Sequence, residues 1–177
     1  DRQIAYGQEH RIPWGVSESG YYRFDADLNY QYRAFGVPGL GFDRGMSEHR
    51  VVTPYASILA LPYRPQAVTP NIDRLADLSM LGRYGFFEAI DYTRSRLDVG
   101  QDYAIVQSYM AHHQGMILLS LANYLLDEPM VRRFHADQRI QTVELLLQEQ
   151  LPQHAPIEEP PSEDAGVVRP TQPQTAI

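Results

Sequence analysis

An all-α fold of paired helices is what this sequence predicts, and three observations predict it. Residues 47–61 and 65–80 each carry apolar side chains near helical spacing, with prolines marking their ends. Residues 104–126 are more apolar than either, and read as the strongest helix of the chain. Period-2 alternation, the signature of a half-buried strand, is nearly absent. Five or six helices paired as hairpins follow, with the functional residues in the connecting loops.

Taken in order, residues 4–43 are dense in aromatics and punctuated by glycine, with no clean period. They predict long loops with short helical or extended pieces, and loops that long inside a domain are usually functional. Ser47 opens the next segment as a capping residue, and Pro62 stops it. Pro54 marks the first turn of its main helix, where a missing N–H costs nothing. Val68, Ile72, Leu75, Ala76 and Leu78 give residues 65–80 a helical face, which predicts one αα-hairpin with the preceding segment. A loop carries residues 82–92. In 104–126, Ile105, Tyr109, Met116, Leu119 and Leu125 make the segment too apolar all round for a surface helix. Short helices at 129–134 and 140–149 read as packing elements. After Pro152, prolines 160, 161, 170 and 173 stand among acids, Gln and Thr, so 152–177 reads as a disordered tail or linker after a domain at 1–151. No internal repeat is present.

Composition excludes several function classes. Net charge is −7 with 15 Lys+Arg and no basic run, which argues against nucleic acid and anionic membrane surfaces as partners. Cysteine is absent, removing disulfides, thiolate nucleophiles and cysteine metal sites. The longest apolar run, residues 116–122, falls far short of the roughly 20 residues of a membrane span. The chain starts at Asp1-Arg-Gln-Ile, with neither Met nor an apolar signal region, and reads as a piece of a longer chain.

Chemistry concentrates in two glutamates. Glu18 lies in Trp14-Gly-Val-Ser-Glu-Ser-Gly20, and Glu88 in Gly85-Phe-Phe-Glu-Ala-Ile-Asp-Tyr92. Glycoside chemistry needs one protonated carboxyl to assist the leaving oxygen and one ionised carboxylate to attack or to activate water. Aromatic flanks such as Trp14, Tyr22 and Phe87 supply stacking surfaces for sugar rings. The competing reading is that each glutamate merely accepts backbone N–H bonds in its loop. Asp91 and Tyr92 follow closely: Asp91 either orients a sugar hydroxyl or makes a local Asx turn or helix cap. His112, His113 and Gln114 interrupt the most apolar helix, which predicts an inward-facing polar cluster against a ligand. Adjacent helical residues point about 100° apart, and no carboxylate lies four residues from either histidine, so no metal is expected. Arg44, Arg83, Arg94 and Arg96 are candidates to clamp an anion or saccharide, or to pair with the acidic surplus. Residues 36–41 hold glycines without a following Lys-Ser/Thr, and are not a phosphate loop.

At these residues the sequence resembles the glycoamylase-like domain of cyclic β-1,2-glucan synthases and related bacterial proteins. The matching stretches are Trp14-Gly-Val-Ser-Glu-Ser, Tyr32-Arg-Ala-Phe-Gly-Val-Pro-Gly-Leu-Gly41, Val52-Thr-Pro-Tyr-Ala-Ser57, residues 82–92, Met110-Ala-His-His-Gln-Gly-Met116 and Arg132-Arg-Phe-His-Ala-Asp137. They run in family order over residues 1–150. The resemblance implies an (α/α)6-barrel, of which this chain would hold the C-terminal half, without a cofactor. It implies action on β-1,2-linked glucan, by ring-closing transglycosylation or by hydrolysis. It also implies that Glu88 is the acid and Glu18 its partner.

Half a barrel would expose the apolar surface of inner helices, so residues 1–177 alone are expected to fold poorly and to be inactive. The alternative function is a non-catalytic glucan-binding or structural module of a larger synthase. A synthase would place the segment on the cytoplasmic face of the bacterial inner membrane, and an exported enzyme would place it in the periplasm. In either case a β-glucan and, in a synthase, the rest of a multidomain chain are the expected partners.

Overall fold

The computed structural model describes residues 1–40 and 48–147. The Arg44 candidate, the Ser47 cap and the tail at 152–177 lie outside the described residues. Helix α1 (Arg2–His10) closes on Arg11 in the left-handed region, φ 57°, with Ile12 N–H donating to Gly7 O at 3.0 Å. Strands β1 (Ser19–Phe24) and β2 (Tyr30–Arg33) form an antiparallel hairpin that places Gly20 opposite Tyr32. Its connection is tied by Asp25, whose carboxylate accepts the N–H groups of Asp27 and Asn29.

Strands β3 (Val51–Val52), β6 (Ala89–Asp91) and β7 (Ala104–Val106) make a three-stranded antiparallel sheet with β6 at its centre. Val52 pairs with Ile90, and Ile90 with Ile105. Between them, α2 (Pro54–Ile58) and α3 (Pro65–Asp77) each begin on a proline, as first-turn chemistry favours. A small hairpin, β4 (Leu81–Gly82) and β5 (Gly85–Phe86), leads into β6, and a 3₁₀ turn (Arg94–Arg96) follows it. Three helices complete the described chain: α4 (Ala111–Leu125), α5 (Pro129–His135) and α6 (Gln138–Leu147).

The all-α expectation is corrected: among the described residues there are seven strands in three sheets. Five of them are two or three residues long, too short for an alternating pattern, β1 grades from buried to exposed along its length instead of alternating, and β6 is buried at every position. For the same reason the predicted helix at 47–61 shrinks to α2 behind a strand, and the one at 104–126 starts only at Ala111. That helix was expected to be buried all round. Instead only His113 and Ser120 are buried in it, while Leu118, Leu119 and Leu125 are exposed.

The main core gathers Tyr6, Val52, Leu75 and Ile90 from α1, α3 and the central sheet, with Ile12, Val16, Val37 and Met80 from the connecting segments. A second cluster holds Trp14 with Leu61 and Val68. There Asn71 of α3 clamps the Trp14 backbone on both sides: Trp14 N–H donates to its Oδ1 at 3.0 Å, and its Nδ2 donates to Trp14 O at 2.9 Å. Exposed apolar side chains continue along α4 to α6, among them Leu126, Phe134, Leu145 and Leu146.

Candidate active site

Glu88 enters the site because three elements hold it. Its N–H donates to Ser108 O at 3.0 Å, and its carbonyl accepts the Thr53 hydroxyl at 2.8 Å. Its side chain is fully buried beside β1, with Oε1 accepting Gly20 N–H at 3.0 Å. Gly20 permits this approach: a Cβ there would sit 3.3 Å from Glu88 Cγ. The other oxygen, Oε2, lies 2.9 Å from His113 Nδ1 on the first turn of α4.

His113 is buried in turn, stacked on Tyr55 at 3.9 Å between ring centroids. A protonated Glu88 sets the neutral ring as the Nε2–H tautomer, whereas a carboxylate at Nδ1 sets it as Nδ1–H and leaves Nε2 as an acceptor. Nε2 meets the Tyr32 hydroxyl at 3.2 Å, and the same hydroxyl lies 3.3 Å from His112 Nε2. The carboxylate of the exposed Glu18 belongs to this cluster: with His112 and His113 it offers ligand atoms within 4.8 Å of one another. Tyr55 anchors that side, its hydroxyl 2.9 Å from Ser17 Oγ and 3.0 Å from Glu18 O.

Charge reinforces the arrangement. Burial, and then the Glu18, Tyr55 and Glu88 charges, raise the Tyr32 hydroxyl above its ordinary value, so it remains a hydrogen-bond donor. Tyr55 is raised chiefly by burial, against the lowering effect of Ser17. The expectation that His112 and His113 diverge is corrected, since their ring centroids are 4.0 Å apart and both Nε2 atoms reach Tyr32. Among the described residues, Glu18, His112 and His113 are the group whose ligand atoms lie close enough together to share a small cation.

Of the sequence candidates, the fold brings Glu18, Glu88, His112 and His113 together. Gln114 stands behind them and donates to Phe86 O at 2.9 Å. Trp14 is a correction: it is 8% exposed within the second core cluster, and the cavity it lines, with Ile4, Ile12 and Asn71, includes neither Glu18 nor Glu88. Asp91 is likewise no free sugar ligand. It is fully buried, chelated by Arg96 at 2.6 and 3.0 Å, and accepts N–H bonds from Tyr22 and Thr93. Phe87 packs on Tyr109, and Tyr92 on Tyr103, both against the main core. Tyr22 is half-buried and lines an open groove of about 400 Å³ with Phe24, Leu28, Tyr30 and Gln107. Among the arginines, Arg96 pairs with Asp91, Arg94 donates to Gln101 O, and Arg83 lies over the Tyr84 ring.

Tyr32 and Tyr55 are the site residues that residue-by-residue reading passed over. Both lay inside the quoted family stretches, and that was the one available signal. Their roles depend on β1–β2 register and on the α2–α4 packing, neither of which a sequence pattern encodes.

The chain belongs to the glycoamylase family, whose model, described as "Putative glucoamylase", matches residues 2–138. It is 43% identical over 155 residues to the cyclic beta-(1,2)-glucan synthase NdvB of Rhizobium meliloti, a match covering 88% of this chain and 6% of that protein. Two crystal structures described as "putative glucoamylase" share its fold. The one from Bacteroides fragilis has TM-score 0.53 and 24% identity over 75% of this chain and 27% of that one. The one from Bacteroides caccae has TM-score 0.53 and 22% identity over 79% and 30%. The chain thus spans under a third of each of these relatives. Among the described residues, no helix is long and apolar enough to cross a membrane.

Proposed function

We propose that this chain is part of a carbohydrate-active domain that cleaves or transfers β-1,2-linked glucan, with Glu18 and Glu88 as its carboxylate pair. The observation that carries the reading is the 43% identity, over most of the chain, to a protein named for cyclic β-1,2-glucan synthesis. Two features of the fold support it. Glu18 and Glu88 approach the same histidine, one in solvent and one buried. The aromatic groove beside Val106 and Tyr22 offers stacking surface close to Gly20 and Glu88.

In this reading the chain is one segment, 1–151, of a larger (α/α)6 domain, followed by a linker at 152–177. The rest of a multidomain synthase is its partner, and the cytoplasmic face of the inner membrane its location. Hydrolysis and ring-closing transfer use the same pair and differ only in whether water or a sugar hydroxyl accepts the glycosyl group.

A second reading, a non-catalytic glucan-binding module, draws on the closure of Glu88, whose two oxygens are both engaged within the protein. Glu88→Gln in the parent protein separates the two. The enzyme reading expects linear glucan still to bind while product formation collapses. Unchanged product formation would favour the binding module.

A further inference from the structure

The carboxylate-pair reading leaves one chemical difficulty. Glu88 has no exposed side-chain surface, and its oxygens face Gly20 N–H and His113 Nδ1, so no glycosidic oxygen can touch it directly. A continuous hydrogen-bonded path nevertheless leads from it to solvent. Glu88 Oε2 meets His113 Nδ1 at 2.9 Å, His113 Nε2 meets the Tyr32 hydroxyl at 3.2 Å, and Tyr32 is 38% exposed on the face that also carries Glu18.

We propose that Tyr32 and His113 form a two-step proton wire through which the buried Glu88 acts, Tyr32 being the group that touches the leaving glycosidic oxygen. This rests on the carboxylate-pair reading. Before reaction Glu88 is protonated, His113 is the Nε2–H tautomer, and the Tyr32 hydroxyl, which also hydrogen-bonds Glu18, turns its proton to the leaving oxygen of bound substrate. As the glycosidic bond breaks, the Tyr32 proton passes to the leaving oxygen and the His113 Nε2 proton passes to Tyr32. The Glu88 proton then moves to Nδ1. The products are a new sugar hydroxyl, an intact phenol, the Nδ1–H tautomer and the Glu88 carboxylate. Each heavy-atom contact serves both states, so no side chain has to move. The electron pair of the broken bond stays on the leaving oxygen, and the anomeric carbon bonds either to a Glu18 carboxylate oxygen, as a glycosyl ester later displaced by water or a sugar hydroxyl, or to a water whose proton Glu18 takes.

The same atoms bear on the alternative of a cation held by Glu18, His112 and His113. Tyr32 Oη already lies within 3.3 Å of both histidine Nε2 atoms, so a cation drawing on those nitrogens would compete with its hydrogen bonds. That competition favours a hydrogen-bonded relay.

The test is Tyr32→Phe in the parent protein, with turnover measured on linear β-1,2-glucan and on a β-1,2-linked glucosyl fluoride. Fluoride needs little protonation to leave. The wire expects kcat on glucan to fall at least about 100-fold while KM and the fluoride rate stay within about threefold. Equal loss on both substrates would make Tyr32 a binding or structural residue and overturn the proposal, as would no loss on either. Should the phenylalanine variant not fold, 3-fluorotyrosine incorporated in place of Tyr32 must alter the glucan rate and spare the fluoride rate. Chelator-sensitive turnover restored by Zn²⁺ would also overturn the wire, in favour of a metal site. Glu88→Gln run alongside keeps the two ideas apart: normal turnover there sinks the carboxylate-pair reading, whereas a dead Glu88→Gln with a normal Tyr32→Phe sinks only the wire.

Discussion

Glu88 and His113 stand 25 residues apart in sequence, yet Oε2 of one lies 2.9 Å from Nδ1 of the other, with both side chains buried. Neither group tolerates isolation there, because a buried polar group without its partner loses hydration and gains nothing. Replacing His113 with Leu would leave the Glu88 carboxyl facing apolar atoms. The expected cost is about 2–3 kcal/mol, read as a fall in the melting temperature of the parent protein. Glu88→Gln, which still accepts Gly20 N–H, should cost about 1–2 kcal/mol. If the two variants were equally stable, the contact would not be a structural one.

Asp91 and Arg96 form a second buried pair, and here the role is scaffolding. Arg96 chelates both Asp91 oxygens, reaches Thr93 Oγ1 at 2.6 Å, and stacks over Tyr21. A planar fork makes those contacts at once, and a lysine cannot. Arg96→Lys should therefore destabilise nearly as much as Arg96→Met, by about 3 kcal/mol or more in urea unfolding. Full rescue by lysine would contradict this.

Gly15 couples the Glu18 loop to α2. Its φ is +125°, and an added Cβ would meet Thr53 O at 2.9 Å and Ser57 N at 3.2 Å, both immovable backbone. Gly15→Ala should displace the loop that carries Glu18 from the helix that carries Tyr55. The expected outcome is a stability loss of more than about 1 kcal/mol together with reduced turnover. A variant with wild-type melting and kinetics would show that the loop adapts.

Stability should fall at alkaline pH. Burial raises the Tyr55 and Tyr92 phenols, with Arg74 partly opposing the effect at Tyr92. Below about pH 10 folded and unfolded chains both keep these protons, and the stability is fully present. Above it the unfolded chain releases protons that the folded chain retains, so stability is lost as pH climbs toward the raised folded values. Melting temperatures should drop above about pH 10, less steeply in Tyr92→Phe. At the other end, burial and then the Arg96 and Arg33 charges lower His49, against the opposing pull of Glu48 and Asp91. The unfolded chain then takes up the proton first, so this contribution is lost as pH falls below about 6.5, and His49→Gln should flatten that limb.

What could be read from the sequence divides along physical lines. Helices α3, α5 and α6 were legible because their apolar faces or proline starts are local signals. Strands β3, β6 and β7 were not, since each is two or three residues long and its neighbours come from distant segments. Glu18, Glu88 and the His112–His113 pair stood out by context, but the contact that unites them is tertiary. Trp14 misled for a related reason. An aromatic beside glycine looks like an exposed platform until Gly7, where a Cβ would lie 2.8 Å from Trp14 Cβ, is seen to draw it into the core. Asp91 resembled a loop ligand because Arg96, five residues on, read equally as a saccharide clamp or as a partner for an acid.

Glu18 offers the most direct test of the account, because it is exposed and its carboxylate can be neutralised with little risk to the fold. The measurement is kcat of Glu18→Gln in the parent protein on linear β-1,2-glucan, with thermal unfolding run in parallel. The carboxylate-pair account predicts an unchanged melting temperature and a loss of at least about 1,000-fold in kcat. Wild-type turnover by a folded Glu18→Gln protein would contradict it.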